Sequence, residues 1–567
     1  MTSVKKIKVA LLALVAALVI AIPTSAFARD VVISEEDATH EYGAYQIFKG
    51  DVDGDSLNNV VWGDSVAEGD RAAFVAEISK VAVIKAELDK VNPAADPTAA
   101  QVAYAISKAV SDTDAADLAD KLNAFFEGKK ASRVAFADKE NGYSATDKNY
   151  KMSVADSGFY FIRDEKAVGD ETAQTKFILR TFDATAEEDV TVEPKSSVPS
   201  VDKKVKEDAE ELNADWREVA DYEIGQEIPY KIEGTLPSTF DTYKQYYFKF
   251  TDTMSAGLDL VATVDDEGVV TDGVTVLLNS ETGDDVTSDF VITWKNNVLE
   301  IECEDLLPQD ENGKYANGDK IIVLYTAKLN ENAVLGLDGN DNTVKLTFSN
   351  NPNQDAGGTP DTGDTPEEKC IVFTFEFDVD KIDSADKKAL LGAGFSVTNS
   401  KGEYFTLNAD NEVVWKTLDE PTVDNGAVFM VKMVGEKALV PFVGLDANET
   451  YTLIESVVPA GYNGMQPKEF TITADTKYNL ANYTGTAADA LTAVNLNIDD
   501  KLTYDKDGAA SNAQDGTVET TITNTSGAPL PSTGGIGTTI FTIVGIALIV
   551  AAAAIMVIRR RNAAAIQ

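Results

Sequence analysis

Two uninterrupted apolar runs, one near each end, constrain this chain more than anything between them. Val9 to Ile22 follows Lys5, Lys6 and Lys8 and leads to Ala26-Phe27-Ala28. That is a basic start, a short apolar stretch and a small-x-small site, the pattern of a secretory signal cleaved after Ala28. The stretch is short for a retained membrane anchor. Ile536 to Ile558 is a run of 23 residues without a charge, closed by Arg559, Arg560 and Arg561. It is long enough to cross a bilayer, and the arginines favour a cytoplasmic end. The chain between the two runs is therefore expected outside the membrane.

Composition then narrows the function. The segment from Arg29 to Thr533 keeps 43 basic against 94 acidic residues, a formal charge of −51. Such a field repels nucleic acid, whose binding draws on basic surface, and keeps a crowded extracellular protein soluble. About 505 residues exceed what one core needs. Cys303 and Cys370 are the two cysteines. They fall in different expected domains, so a bridge between them has to span a junction, and two free thiols are the alternative.

The expected fold is mainly β: tandem immunoglobulin-like, Cna-type sandwiches, the first with a helical insertion. Residues 1–28 are the signal peptide and 29–195 the first domain. In the latter, Ala72 to Leu88, Ala99 to Val110 and Ala116 to Phe126 have apolar residues at helical spacing between strand-like Tyr45-Gln46-Ile47-Phe48 and Gly158 to Ile162. Its last strand is read at Lys176 to Phe182, which lacks an asparagine. Residues 196–350 form the middle sandwich, with short runs such as Tyr222 to Ile232, Ile321 to Ala327 and Thr343 to Phe348 separated by turn residues. Residues 351–369, rich in Pro, Gly, Thr and acidic side chains, read as a linker. Residues 370–529 are the third sandwich, opened by alternating Phe373, Phe375, Phe377 and Val379, and 530–567 the C-terminal signal with the apolar run 536–558.

Metal and cofactor chemistry finds little support. Asp51, Asp53 and Asp55 suggest a calcium loop, but Ser56 and Trp62 stand where that loop needs Gly and Glu. His40 is the single histidine. No nucleotide loop and no complete Ser-His-Asp set is found, and no cofactor is expected. The chain is not expected to act as an enzyme on other molecules.

Two lysines interrupt an apolar strand phase. Lys203 shares its parity with Val201 and Val205, and Lys381 with Phe377 and Val379, which turns both ammonium groups toward the core. Burial penalises the charged form and favours the nucleophilic neutral amine. At the far ends, Val344, Leu346 and Phe348 lead in phase to Asn350, and Thr520 and Ile522 to Asn524. Where first and last strands adjoin, each amine can attack a carboxamide, release ammonia and leave an amide crosslink. A buried carboxyl group held protonated can polarise the carbonyl and shuttle protons. Glu455, in phase with Tyr451 and Leu453, and Asp252, in phase with the Tyr246 to Phe250 strand, are the candidates. Lys204 remains open as the inward lysine in place of Lys203.

Several motifs together resemble the major (backbone) subunits of sortase-assembled pili of Gram-positive bacteria. Leu530-Pro531-Ser532-Thr533-Gly534 before the apolar run resembles their LPXTG-type sorting signal, and Tyr451 to Tyr462 resembles their E-box. Val-Asp-Lys203-Lys-Val, Asp252-Thr-Met-Ser-Ala-Gly257-Leu258 and Phe-Ser-Asn350-Asn-Pro352 resemble their Lys, Asp and Asn segments. The resemblance implies Glu455 as the acid for a Lys381–Asn524 bond and Asp252 for a Lys203–Asn350 bond. It also implies cleavage between Thr533 and Gly534, and transfer of Thr533 to a lysine of the next subunit. Val190 to Ser196 matches the pilin motif loosely, with Glu193 and Ser196 where Tyr and Asn are usual, and makes Lys195 that acceptor. Implied partners are other copies of the chain, pilus-specific and housekeeping sortases, minor pilins, peptidoglycan and host surface components. The alternative is a monomeric wall-anchored adhesin or minor pilin.

Overall fold

The computed structural model describes residues 29–527, apart from 55, 92–95, 166–170, 187, 209–215, 308–312, 409–411, 477–489, 499–500 and 504–508. The signal peptide, Leu530 to Gly534 and the C-terminal apolar run lie outside the described residues. Among the described residues no helix is long and apolar enough to cross a membrane. The chain divides into two compact units, the first holding residues up to Thr374 and the second beginning at Phe375.

The first unit starts with two sheets. Tyr143–Ser144, Asn149–Val154, Arg29–Ile33 and Val190–Val192 form one, in that order. Ser56–Trp62, Tyr42–Asp53, Gly158–Asp164 and Ile178–Phe182 form the other, with Ala135–Ala137 on Tyr42–Asp53. The last strand is therefore Val190–Val192, parallel to Arg29–Ile33, rather than the 176–182 segment. Helices Arg71–Ile78, Ala82–Leu88, Ala99–Ile106 and Asp112–Phe126 lie in sequence between the two halves of the sandwich. The expected 72–88 helix is two helices, with Val81 extended between them. Thr98 starts the third through a capping box with Gln101, and Ser111 caps the fourth, each satisfying a free backbone donor. Phe74, Ile78, Ile84, Val102 and Phe126 meet Tyr45 and Phe161 in one core, so the helices extend the sandwich's own apolar face.

The middle sandwich belongs to the same unit. One sheet runs Trp216–Arg217, Ser200–Lys206, Glu227–Thr235, Lys320–Leu329 and Leu258–Leu260, with Val274–Leu278 also on Lys320–Leu329. The other runs Val219–Asp221, Glu368–Phe373, Asn340–Ser349, Phe248–Met254, Val298–Cys303 and Val291–Lys295. Residues 351–369, expected as a linker, instead supply sandwich strands: Thr362–Asp364 pairs with Asn340–Ser349, and Glu368 begins a strand beside it. The third sandwich accordingly starts near Phe375 and not at 370. The polar composition of 351–369 reflects short edge pairing and turns, where side chains face water.

This shift brings both cysteines into one sheet. Cys370 pairs with Asn342 and Cys303 with Phe248, on strands three places apart. Three strand spacings come to about 14 Å, twice the Cα separation a disulfide tolerates. Both thiols are free and buried, and burial pushes Cys303 up to about 11.

The second unit is a sandwich of two sheets. Lys432–Val434, Lys437–Leu445, Phe375–Asp383, Thr517–Ser526 and Tyr462–Asn463 make one. Val413–Lys416, Tyr404–Leu407, Gly394–Thr398, Thr450–Val457, Lys468–Thr476, Leu491–Ile498 and Lys501–Thr503 make the other. The opening strand Phe375–Asp383 and the closing strand Thr517–Ser526 are parallel neighbours over eight residue pairs.

Candidate functional site

Each isopeptide candidate is a lysine carried on one sheet of a sandwich and an acid carried on the other. In the middle sandwich, Ser200–Lys206 turns Lys203 and Val205 inward and leaves Lys204 half-buried. Lys204 pairs instead with Asp202 and Glu218, at 2.7 and 2.9 Å, which hold its ammonium up to about 12 against the cost of burial. Lys203 Nζ donates to Asp252 Oδ2 at 2.8 Å, both side chains fully buried. It also donates to Tyr325 Oη at 2.8 Å and lies 5.3 Å from the centroids of the Tyr230 and Tyr325 rings.

The asparagine at this cluster is Asn342, not Asn350. Asn342 Nδ2 donates to Tyr325 Oη at 2.8 Å, while the Tyr230 hydroxyl makes no hydrogen bond. The strand register explains the choice. Asp252 pairs with Val344 and Met254 with Asn342 on the antiparallel neighbour, so the carboxamide diagonal to Asp252 is two residues before Val344. Asn350 has the same parity but stands eight residues farther along, about 27 Å at strand rise. Asn350 belongs to the contact with the first domain: its carbonyl accepts from Gln174 N at 2.7 Å, while Asn353 and Pro352 take Phe177 and Lys176. The signal that marks Asn342 is an amide in the inward phase at the start of Val344-x-Leu346-x-Phe348. Asn340, two residues earlier, is also fully buried, but it bonds the backbone at Val334 and Val372.

In the third sandwich the geometry is more direct. Thr450–Val457 buries Tyr451, Leu453 and Glu455 on one face. Glu455 Oε1 accepts from Asn524 Nδ2 at 2.7 Å and lies 3.5 Å from Lys381 Nζ. Glu455 Oε2 accepts from Met465 N at 2.7 Å. Lys381 Nζ is buried and makes no hydrogen bond, and its pairing across the sheet is with Ile522, two residue pairs from the Asp383–Asn524 pair. Burial lowers the Lys381 pKa, with Glu455 acting against that shift. Past this strand, Gly461 holds a left-handed turn at φ +87° and its carbonyl accepts from Gly527 N at 3.0 Å. Tyr462 Oη beside it donates to Asp383 Oδ2 at 2.6 Å.

Lys195 lies in the extended segment between Val190–Val192 and Ser200–Lys206, with its side chain exposed and its carbonyl accepting from Lys176 N at 3.1 Å. Thr533 and the rest of the pentapeptide fall outside the described residues. Among the described residues no cluster of His, Cys, Asp and Glu is arranged to hold a metal ion.

Comparison with known proteins agrees with this architecture. Residues 522–564 match the family model of the LPXTG cell wall anchor motif, and residues 375–485 match that of the SpaA prealbumin-like fold domain. The chain is 26% identical over 408 residues to the trypsin-resistant surface T6 protein of Streptococcus pyogenes serotype M6, covering 65% of this chain and 70% of that protein. The structure of the T6 backbone pilin, described as a modular three-domain protein, superposes with a TM-score of 0.50 at 17% identity, covering 89% of this chain and all of the other. The major pilin SpaD of Corynebacterium diphtheriae matches with a TM-score of 0.43 at 15% identity, over 88% of this chain and 98% of that one. With its wall-anchor motif behind tandem β-sandwiches, the chain is a cell-wall-anchored extracellular protein with the fold of the T6 backbone pilin.

Proposed function

We propose that this chain is the shaft subunit of a covalently polymerised surface pilus, fastened inside each of its last two sandwiches by a Lys–Asn isopeptide bond. The observation that carries the reading is the recurrence, in two sandwiches, of a fully buried lysine, a fully buried acid and a buried asparagine. Burying one ammonium and one carboxylate costs several kcal/mol unless geometry and partners are very good. A condensation that removes the charge and the lone amine is a reason to keep such a set twice. The chemistry is intramolecular and happens once: the neutral lysine attacks the amide carbon, ammonia leaves, and the carboxyl group moves the proton. Preorganisation in the folded core supplies the remaining rate.

Between subunits, sortase joins Thr533 of one copy to Lys195 of the next. Exposure of Lys195 in an extended segment suits that role. Linking two different surfaces of identical copies is a heterologous contact that does not close, so it yields a filament. A housekeeping sortase then attaches the polymer to peptidoglycan, with minor pilins as accessory members.

Wall extracts boiled in detergent and blotted for this protein test the polymer. A ladder far above the 60.8 kDa chain is expected, and a single band means a monomeric wall-anchored protein. Intact mass of residues 29–533 tests the crosslinks. A deficit of two ammonias, about 34 Da by the condensation chemistry, is expected. Asn342→Ala and Asn524→Ala should each restore about 17 Da on that chemistry, and Asn350→Ala should restore none.

A further inference from the structure

The two clusters differ in how the acid reaches the two nitrogens. In the third sandwich one oxygen of Glu455 faces both Lys381 Nζ and Asn524 Nδ2, at 3.5 and 2.7 Å. In the middle sandwich the acid is an aspartate, one methylene shorter, and it makes no hydrogen bond to Asn342. Tyr325 fills that gap. Its Oη accepts from Lys203 Nζ at 2.8 Å and from Asn342 Nδ2 at 2.8 Å, and donates to Asp252 Oδ2 at 2.5 Å. The phenol touches the attacking nitrogen, the leaving nitrogen and the acid at once, and is buried. Tyr325 comes from Lys320–Leu329, whose alternating inward face includes Ile321, Val323 and Ala327. Desolvation raises its pKa well above the ordinary value, which keeps the phenol neutral and able both to give and to take a proton.

We infer that Tyr325 is a catalytic residue of the middle sandwich, relaying the proton between Lys203, Asp252 and Asn342 while the Lys203–Asn342 bond forms. The inference rests on the proposed isopeptide chemistry. Lys203 Nζ, as the neutral amine, bonds to Asn342 Cγ. Nζ gives a proton to Tyr325 Oη as the phenol passes its own to Asp252. The reverse transfer, Asp252 to Oη and Oη to Nδ2, protonates the leaving group, the Cγ–Nδ2 bond breaks, and ammonia departs. One proton moves from Nζ to Nδ2, Tyr325 and Asp252 end as they began, and nothing is oxidised or reduced. Asp252 and Tyr325 together span what Glu455 spans alone.

The test is a time course of intact mass after cell-free synthesis of residues 29–533, with peptide mapping of each bond. In the parent chain both bonds close; if the Lys203–Asn342 peptide never appears there, the isopeptide reading of this sandwich fails before the role of Tyr325 is tested. In Tyr325→Phe the Lys203–Asn342 bond should close at least about a hundredfold more slowly, at the lower edge of what general acid–base groups contribute. The Lys381–Asn524 bond should keep its rate and report that the chain has folded. Tyr230→Phe is the matched control. Tyr230 stacks on Tyr325 at 5.4 Å but makes no hydrogen bond to Lys203 or Asp252, so its loss should leave the rate within about twofold, far from the general acid–base range. Asp252→Glu added to Tyr325→Phe should recover most of the lost rate by letting the longer carboxylate face both nitrogens. The relay is overturned if Tyr325→Phe closes at the parental rate, if Tyr230→Phe is equally slow, or if the longer acid recovers nothing.

Discussion

At the scale of single residues, what matters is how a lysine is kept dry. Lys381 sits in the third sandwich with its ammonium against Glu455 and no hydrogen bond of its own. Its pKa is lowered by burial, so the folded state holds that proton less tightly than the unfolded state, whose lysine titrates near 10.5. The sign follows: wherever the unfolded chain binds more protons, stability rises with pH. An Asn524→Ala chain, which keeps the amine unreacted, should therefore gain stability as pH climbs from the lowered value toward 10.5 and lose it on the way down. The slope is at most about 1.4 kcal/mol per pH unit. Denaturant midpoints across pH 7 to 10 check this, and a flat profile, about zero slope, rules out a depressed amine. A parent crosslinked as proposed has no such amine and should lack the dependence.

At the scale of strands, the proposed crosslinks act on elements that already meet. Lys203 and Asn342 enclose nearly the whole middle sandwich, and the chain-entropy estimate for a closed loop of that size is about 5 kcal/mol. In the third sandwich the proposed bond joins parallel neighbours, Phe375–Asp383 and Thr517–Ser526, so with it in place a pull on either strand passes through a covalent tie before the ladder opens. Lys381→Ala should thus unfold at markedly lower force in single-molecule pulling while leaving the sheet order unchanged. Packing beneath these strands is aromatic. Phe377 stacks on Phe470 with centroids 4.1 Å apart and is fully buried. Phe377→Ala removes that ring from a core that cannot refill the space and should cost about 3–5 kcal/mol, read as a lower denaturant midpoint for this sandwich.

At the scale of the whole molecule, stability outside the cell has to come without disulfides. Cys303 and Cys370 are free, buried and too far apart to pair. Reducing agent should leave mass and melting temperature unchanged, and a shift of about 3 °C or more, the size of a 1 kcal/mol effect in a domain this large, would show that a bridge exists. In the proposed polymer, growth depends on surfaces of different copies, so Lys195→Ala should collapse the ladder in wall extracts while preserving the two-ammonia mass deficit. Persistence of the ladder points to a different acceptor lysine, with Lys204 and Lys206 on the neighbouring strand the next to replace. The net negative charge of the segment 29–533 is compatible with such crowding, because like charges keep neighbouring shafts apart.

Much of this molecule can be read from its sequence because the relevant signals are local. Alternation along Phe375 to Val379 defines a strand, and the odd lysine in that phase announces its own burial. The pentapeptide, the apolar run and the arginines lie within some thirty residues of one another. Pairings are not local. Parity places Asn342 and Asn350 on the same face, and only the register of Asn340–Ser349 against Phe248–Met254 decides which amide meets the amine. The same holds for residues 351–369, whose composition suits a linker but whose backbone groups find partners in a sheet edge. In sequence Tyr325 is one more aromatic of a strand run, and only the placing of Lys320–Leu329 across the core from Phe248–Met254 brings its hydroxyl to Asp252. A chain writes the inward or outward direction of each side chain into its own periodicity, whereas the partner across the core depends on how distant strands are set against each other. That is a property of the assembled sandwich and of no segment alone.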